Sequence, residues 1–317
     1  MLVSMSVDHR RACLSVRERF HLDDEAMAEA YRWFAASGMT SVVLAQTCNR
    51  LEAYAWWPDS DPTVDFAAHA SPARGRRVLA RALCAAWCAG DDGGAEEMER
   101  YAVVATGKAA AEHLLRVSAG LESQVLGDIH VLAQLRQAYR RAVELDRVGS
   151  PLHRLFELAF RLGKCVRRET GLMSTRSGVG SEAARVAEGV AGAGGVVVVG
   201  AGKIGTQAAR TLVARGVEGV VIVNRTEARA ETLSRQLGTG RWASLERLPE
   251  QLASARAVIV ATDARDPVLT AEMIAAVRPD GGGRHRPLSI IDVSVPRNVD
   301  PEAGKLEGIE LVDLDTL

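Results

Sequence analysis

Four consecutive valines at 196–199 run straight into Gly200-Ala201-Gly202-Lys203-Ile204-Gly205, and this junction constrains the fold more than any other stretch of the chain. An unbroken β-branched run is the pattern of a strand buried on both faces, as in a parallel sheet. G-x-G-x-x-G alone is a weak motif, but here it follows a strand and opens a helix expected over 206–215. In that setting the first glycine permits a tight turn, the second lets backbone approach a pyrophosphate, and the third lets helix and strand pack closely. The helix N-terminus then offers free N–H groups to phosphate. Strand-like runs recur at 220–223, 257–261, 288–293 and 309–312, with a helical pattern over 228–237. This alternation predicts a Rossmann-like, doubly wound parallel sheet over residues 178–317.

The end of the second strand selects the cofactor. A site for NAD usually places Asp or Glu there, about 20 residues past the glycines, to bind the ribose 2′-hydroxyl. This chain has Asn224-Arg225-Thr226 instead. A carboxylate repels a 2′-phosphate, whereas a guanidinium pairs with it through a fixed fork of donors. NADPH is therefore the expected cofactor. The expected binding set is Gly200, Gly202, Lys203, Ile204, Gly205, Asn224, Arg225, Thr226 and Thr262.

The first half of the chain has a different texture. Residues 2–7 and 41–46 are strand-like, 23–36 has helical periodicity with Asp23 and Asp24 as cap candidates, and an apolar pattern resumes over 51–57. Residues 58–75 and 90–95 read as loops. From 109 to about 170 the pattern is helical, broken near Gly120, Gly127 and 149–151. The expected organisation is an α/β substrate domain over 1–150, a helical linker over 151–177 and the dinucleotide domain. The formal net charge is −1, so any nucleic-acid surface must be local. One candidate lies within 132–170: Arg136, Arg140, Arg141, Arg147, Arg154, Arg161, Lys164, Arg167 and Arg168 face only four acidic residues. A phosphate-tracking surface and a solvated helix face both explain that excess.

Five cysteines without a basic, apolar leader suggest a cytoplasmic protein with reduced thiols. No run reaches the ~18 apolar residues of a membrane span. Cys84 and Cys88 have no second ligand pair, so core packing is expected and no metal. Cys48 is placed differently. It ends a hydrophobic strand, in Gln46-Thr47-Cys48-Asn49-Arg50-Leu51-Glu52, with a guanidinium beside it to favour the thiolate.

That segment resembles the signature of the glutamyl-tRNA reductases. So do the opening run from Asp8-His9 to Arg17-Glu18-Arg19, the run Gly120-Leu121-Glu122-Ser123-Gln124-Val125-Leu126-Gly127-Asp128, the following Leu132-Ala133-Gln134 and Ala138-Tyr139, and the run from Ile291-Asp292 to Asp300-Pro301-Glu302. The resemblance implies that Cys48 attacks the ester of glutamyl-tRNA and that the resulting thioester accepts hydride from NADPH, giving glutamate 1-semialdehyde for tetrapyrrole synthesis. It also implies that Arg50 holds the substrate carboxylate, with Thr47, Asn49, Ser123, Asp128 and Gln134 around the substrate. A downstream aminomutase is an implied partner.

Three departures from the family pattern keep other readings open. Ala105 stands where the family carries a histidine, and His130 offers a substitute proton donor or is an ordinary helix histidine. Leu51, Ile129 and Ala133 replace the family's threonine, proline and glycine. The chain ends at Leu317, where the family continues into a helical dimerisation domain, so the family's dimer is not expected if that is its natural end. The alternatives are a reductase for another aminoacyl-tRNA, a dehydrogenase for a free small molecule, and a non-catalytic tRNA-binding homologue. The cleft between the two domains is the expected site.

Overall fold

The computed structural model describes residues 1–56, 72–128, 130–170, 178–192, 195–277 and 287–317. Residues 57–71 of the expected apolar run and loop, the Ile129 substitution and the 171–177 end of the linker lie outside them. The chain divides into two compact units, Met1–Ser177 and Gly178–Leu317.

The first unit runs β1 (Leu2–Asp8), α1 (Leu14–Arg19), α2 (Asp24–Ala36), β2 (Ser41–Thr47), β3 (Arg50–Trp56), α3 (Pro72–Trp87), α4 (Asp92–Tyr101), β4 (Val103–Thr106), α5 (Gly107–Ser118), α6 (Val131–Glu144) and α7 (Ser150–Glu169). Its four strands form an antiparallel sheet in the order β2-β3-β1-β4. Because side chains alternate across a strand, register decides which residues share a face. Here Ser4 pairs with Tyr54, Ser6 with Glu52 and Asp8 with Arg50, so one face carries a buried polar stripe. The other face carries Val3, Met5 and Val7 against Ala55, Ala53 and Leu51.

Helices cover both faces. On the polar side Phe156 of α7 meets Tyr54 edge-on, with ring centroids 5.7 Å apart. On the apolar side the Cys84 sulfur of α3 lies 3.6 Å from that of Met5, the core role expected for this cysteine. Helix α2 starts as its sequence implies, with the Asp23 carboxylate accepting from the N–H groups of Glu25 and Ala26 at 3.1 and 2.9 Å.

Two expected loops are partly helix. Residues 72–75 open α3, where Pro72 suits a first turn because its missing N–H has no helical partner there. Residues 92–95 open α4 despite Gly93 and Gly94, because burial of Ala95 and Met98 outweighs poor local propensity. Residues 151–169, read as linker, form most of α7, whose Leu152, Phe156 and Ala159 belong to the first unit's core.

The second unit runs α8 (Val179–Ala191), β5 (Gly195–Val199), α9 (Lys203–Ala214), β6 (Val221–Asn224), α10 (Glu227–Leu237), β7 (Trp242–Ser244), α11 (Leu248–Ser254), β8 (Ala255–Val260), α12 (Ala271–Val277), β9 (Leu288–Asp292) and β10 (Ile309–Val312). The six strands are parallel, in the order β10-β9-β8-β5-β6-β7. Numbered within the unit this is the 3-2-1-4-5-6 arrangement of dinucleotide-binding sheets, whose ligands sit where the order reverses. That switch point lies between β5 and β8. Helix α9 begins at Lys203, three residues earlier than expected, so Lys203, Ile204 and Gly205 form its first turn.

Among the described residues no helix is long and apolar enough to cross a membrane. Nor do they hold a group of three or more His, Cys, Asp or Glu suited to a metal ion.

Helix α7 packs closely where it crosses the end of α5. A Cβ added at Gly163 would lie 2.5 Å from the Ser118 carbonyl oxygen and 3.2 Å from Leu132, so Gly163→Ala should destabilise the protein by about 1–3 kcal/mol. A Cβ at Gly189, on an exposed position of α8, meets nothing within 4 Å. Gly189→Ala should instead stabilise by about 0.5–1 kcal/mol. Urea unfolding midpoints of the two variants should therefore move in opposite directions.

Candidate active site

Thr47 pairs with Arg50, so Cys48 and Asn49 form a two-residue turn joining β2 to β3. The turn is pinned on three sides. The Thr47 hydroxyl accepts from the Asn49 N–H at 3.1 Å, the Asn49 carbonyl accepts from the His9 N–H at 3.0 Å, and the Cys48 carbonyl accepts from Arg17 Nε at 3.3 Å. Arg17 is itself 1% exposed and donates to the Ala12 carbonyl at 2.6 Å. Thus the segment 8–17, about thirty to forty residues earlier in sequence, holds the thiol-bearing turn.

The Cys48 thiol is pushed up to about 12, first by burial and second by the Asp128 carboxylate, against the opposing pull of Arg17 and Arg50. The expected activation by a neighbouring guanidinium is present but outweighed, because desolvation penalises the thiolate more than the arginines favour it. Cys48 rests as a protonated thiol.

Below the turn lies a network that sequence reasoning left without a role. Glu52 is 0% exposed, and burying a carboxylate is tolerable only with partners for its charge and lone pairs. It has three. Arg50 Nη1 and Ser6 Oγ both donate to Oε1 at 3.0 Å, and His113 Nε2 of α5 lies 2.8 Å from Oε2. Burial opposes ionisation of Glu52, yet His113 and Arg50 hold its carboxyl below the usual value. Burial likewise works against charge on His113, but Glu52 overcomes it and raises the imidazole above its ordinary value.

Arg50 Nη2 donates to the Glu122 carbonyl, tying the 120–128 loop to the hairpin. The Glu122 carboxylate takes Arg10 at 2.6 Å and Arg116 at 2.5 Å, and Arg10 also pairs with Asp8 at 2.5 Å. The loop is closed by the Gly127 N–H donating to the Gly120 carbonyl at 3.0 Å, a close approach that a side chain on Gly120, at φ +78°, would obstruct. Asp128 ends the loop and accepts from the His130 N–H at 2.9 Å.

The structure thus brings Thr47, Cys48, Asn49 and Arg50 together and sets the charge of Asp128 against Cys48. Ser123 and Gln134 are half-buried in the loop and on α6, with no hydrogen bond to the hairpin among the described residues. Ala105 lies on β4 opposite Ser4 of β1. One signal for the missed network was available: Ser4-x-Ser6-x-Asp8 and Arg50-x-Glu52-x-Tyr54 are polar at every second residue of otherwise apolar strands. Nothing in the spacing pointed to His113.

In the second unit the glycine turn has the shape its motif implies. Gly200 has φ +107°, and a Cβ there would strike the Ala261 carbonyl; one at Gly205 would strike the Gly200 carbonyl. A Cβ at Gly202 would meet no protein atom within 4 Å. Two glycines are therefore demanded by the protein's own packing, while the third leaves open space at the N-terminus of α9. Asn224 Oδ1 accepts from the Ala201 N–H at 3.2 Å, and its amide donates to the Thr226 carbonyl at 3.0 Å, so the β6 end and the glycine turn form one piece. Arg225 is exposed next to it.

Thr262, past the end of β8, borders Gly200 and is propped by the 292–299 segment. Its N–H donates to Ser294 Oγ at 3.2 Å, and its hydroxyl bonds Asn298 Oδ1. That segment winds around the buried Asp292, which accepts from the N–H groups of Ser294, Asn298 and Val299 at 3.0, 2.8 and 2.9 Å. An open cradle at Gly202, free helix N–H groups and an exposed arginine in place of a ribose carboxylate suit NADP(H).

A dinucleotide-binding sheet joined to a separate α/β unit that presents a cysteine defines a pyridine-nucleotide oxidoreductase. Comparison with known proteins agrees in both halves. The family described as glutamyl-tRNAGlu reductase, N-terminal domain, matches residues 5–170, and that described as shikimate/quinate 5-dehydrogenase matches residues 182–317. A glutamyl-tRNA reductase of Rubrobacter xylanophilus is 37% identical over 100% of this chain and 70% of its own length. One of Salinibacter ruber is 35% identical over 99% of this chain and 61% of its own length. The solved glutamyl-tRNA reductase of Methanopyrus kandleri is 31% identical, with a TM-score of 0.45, over 99% of this chain and 71% of that one. The chain belongs to the glutamyl-tRNA reductase family.

Two measurements probe the site. Gly205→Ala should unfold the second unit at lower urea, whereas Gly202→Ala should leave unfolding unchanged and weaken NADPH binding at least about tenfold, read by fluorescence titration. For the thiol, Asp128→Asn removes a charge that disfavours the thiolate and should speed iodoacetamide labelling of Cys48 at pH 8 by about three- to tenfold. Arg17→Gln should slow it.

Proposed function

We propose that this protein reduces glutamyl-tRNA to glutamate 1-semialdehyde with NADPH, through a thioester on Cys48. The observation that carries this reading is the placement of Cys48 in a turn held by Arg17 and followed directly by a buried arginine, in a chain whose second unit has a glycine turn suited to NADP(H). A free carboxylate is too electron-rich to accept hydride, whereas an ester or thioester carbonyl is electrophilic. Covalent catalysis divides the reduction into two easier steps.

In the first step the Cys48 sulfur attacks the ester carbonyl carbon. The bond to the tRNA 3′ oxygen breaks, and that oxygen leaves with a proton. Since the resting thiol is protonated, the substrate itself has to help: its α-ammonium group, paired with Asp128, offsets the carboxylate that opposes the thiolate. Arg50 then offers a cation to the substrate's side-chain carboxylate. When bound, NADPH supplies the hydride that brings the acyl carbon to the aldehyde level. Cleavage of the C–S bond returns an electron pair to sulfur and frees the product. Gly200, Gly202, Lys203, Ile204, Gly205, Asn224, Arg225, Thr226 and Thr262 are the residues to hold the cofactor.

An RNA substrate needs a basic surface, and α6 and α7 supply exposed candidates. Arg154, Arg161 and Arg168 recur at seven-residue intervals along α7, with Lys164 beside them, and Arg140 is exposed on α6. Arg136 instead lies over the Phe160 ring at 5.3 Å and Arg141 pairs with Asp24 at 2.9 Å, whereas Arg168 stays exposed although it pairs with Glu169 at 2.9 Å. A tRNA substrate and five free cysteines fit the reducing cytoplasm.

A second reading, a tRNA-binding homologue without catalysis, is favoured by Ala105 at the position of the family's histidine. Incubation with glutamyl-tRNA radiolabelled in the amino acid separates the two. Catalysis predicts label on the protein without NADPH, lost in Cys48→Ser, and labelled aldehyde once NADPH is added. Binding of tRNA with no transfer of label favours the second reading and ends the first.

A further inference from the structure

His113 has no part in the steps above, yet it is the partner of a fully buried carboxylate. Its Nε2 lies 2.8 Å from Glu52 Oε2, its ring stacks on Tyr54 at 6.2 Å, and its side chain is 20% exposed. The other oxygen of the same carboxylate accepts from Arg50 Nη1 at 3.0 Å. One buried negative charge is therefore shared by two groups, of which one is permanently positive and the other titrates.

The surroundings leave little else to compensate. Strand β3 contributes Arg50, Glu52 and Tyr54, and β1 contributes Ser6 and Asp8. The 120–128 loop contributes Glu122, matched by Arg10 and Arg116. Asp8 is matched by Arg10 as well. Strand β4 is Val-Val-Ala-Thr, with nothing that titrates. The fully buried residues of α6 and α7 are apolar: Val131, Leu132, Leu135 and Ala142 on one, Leu152, Phe156 and Ala159 on the other. On α5 itself, Glu112 and Lys108 are exposed. The charge state of the pocket thus turns on the imidazole.

We propose that His113 is a positioning residue for substrate recognition, a proton-dependent counter-ion that frees the charge of Arg50 for the substrate's side-chain carboxylate. With the imidazole protonated, Glu52 is matched by His113, and the positive charge of Arg50 is uncompensated toward an incoming anion. With the imidazole neutral, Glu52 is matched by Arg50 alone, and the pair is neutral. An acidic side chain is then drawn in strongly only in the protonated state. The inference rests on the proposed role of Arg50 toward substrate. Its direction is set by sign: Glu52 holds the imidazole proton to a pH above that of a free histidine, so tight binding extends upward in pH and is lost as His113 titrates.

The test is KM for glutamyl-tRNA between pH 6 and 9 for the natural chain, His113→Asn and Arg50→Gln, with the imidazole of His113 followed by NMR. KM of the natural chain should rise about tenfold across the titration of His113, the effect of one nearby charge in a partly screened site. The ratio of KM in His113→Asn to that in the natural chain, which cancels the titration of Cys48, should fall from about ten toward one as pH rises. NMR should show the imidazole titrating at higher pH in Arg50→Gln, where a competing cation is gone. A His113→Asn variant that keeps the natural KM profile, while Arg50→Gln raises KM, overturns the inference alone. Arg50→Gln with unchanged KM brings down the proposed role of Arg50 and the inference together. An imidazole whose titration ignores Arg50→Gln overturns the coupling whatever the kinetics.

Discussion

The first unit is organised around a carboxylate that has no route to water. Glu52 sits in the middle of a sheet, fully buried, and is held there by a hydroxyl from β1, a guanidinium from its own strand and an imidazole from α5. Removing one partner of such a charge costs about 3–5 kcal/mol, because the charge left behind is neither solvated nor paired. Those partners come from residues 6, 50 and 113, so the arrangement exists only when sheet and helix have docked. Arg50, fixed by the same carboxylate, reaches on to the 120–128 loop and secures the segment that ends in Asp128.

That constraint explains why a poorly activated cysteine belongs in this site. The Cys48 thiol, half-buried at the rim of a charge-paired stripe, stays protonated because desolvation and the Asp128 carboxylate both oppose the thiolate. The guanidiniums of Arg17 and Arg50 counter this only in part.

The second unit solves a different problem with backbone. Its glycine turn is closed by carbonyl groups of Gly200 and Ala261, its edge is tied by Asn224, and Thr262 is propped by a segment wound on Asp292. Asp292, Ser294 and Asn298 belong to a motif visible in the sequence, yet their work is second-hand: they position the residue that borders the turn. A motif shows that a segment is particular; hydrogen bonds show what it is particular for.

The parallel sheet, the glycine turn with its 2′-phosphate preference, the cap of α2 and the strand end that carries Cys48 were legible in the sequence, because each depends on residues close together in the chain. Local signals misplaced the starts of α3, where proline opens a helix rather than a loop, and α4, where burial of Ala95 and Met98 outweighs two glycines. Only the tertiary structure decided that α7 belongs to the first unit's core, that Arg17 grips the Cys48 carbonyl, and that His113 answers Glu52. These pairings span from about thirty to about a hundred residues of chain, and a lone histidine or glutamate carries no mark of its partner. Their energies also depend on burial, which is set by the whole packed unit rather than by any local run of residues.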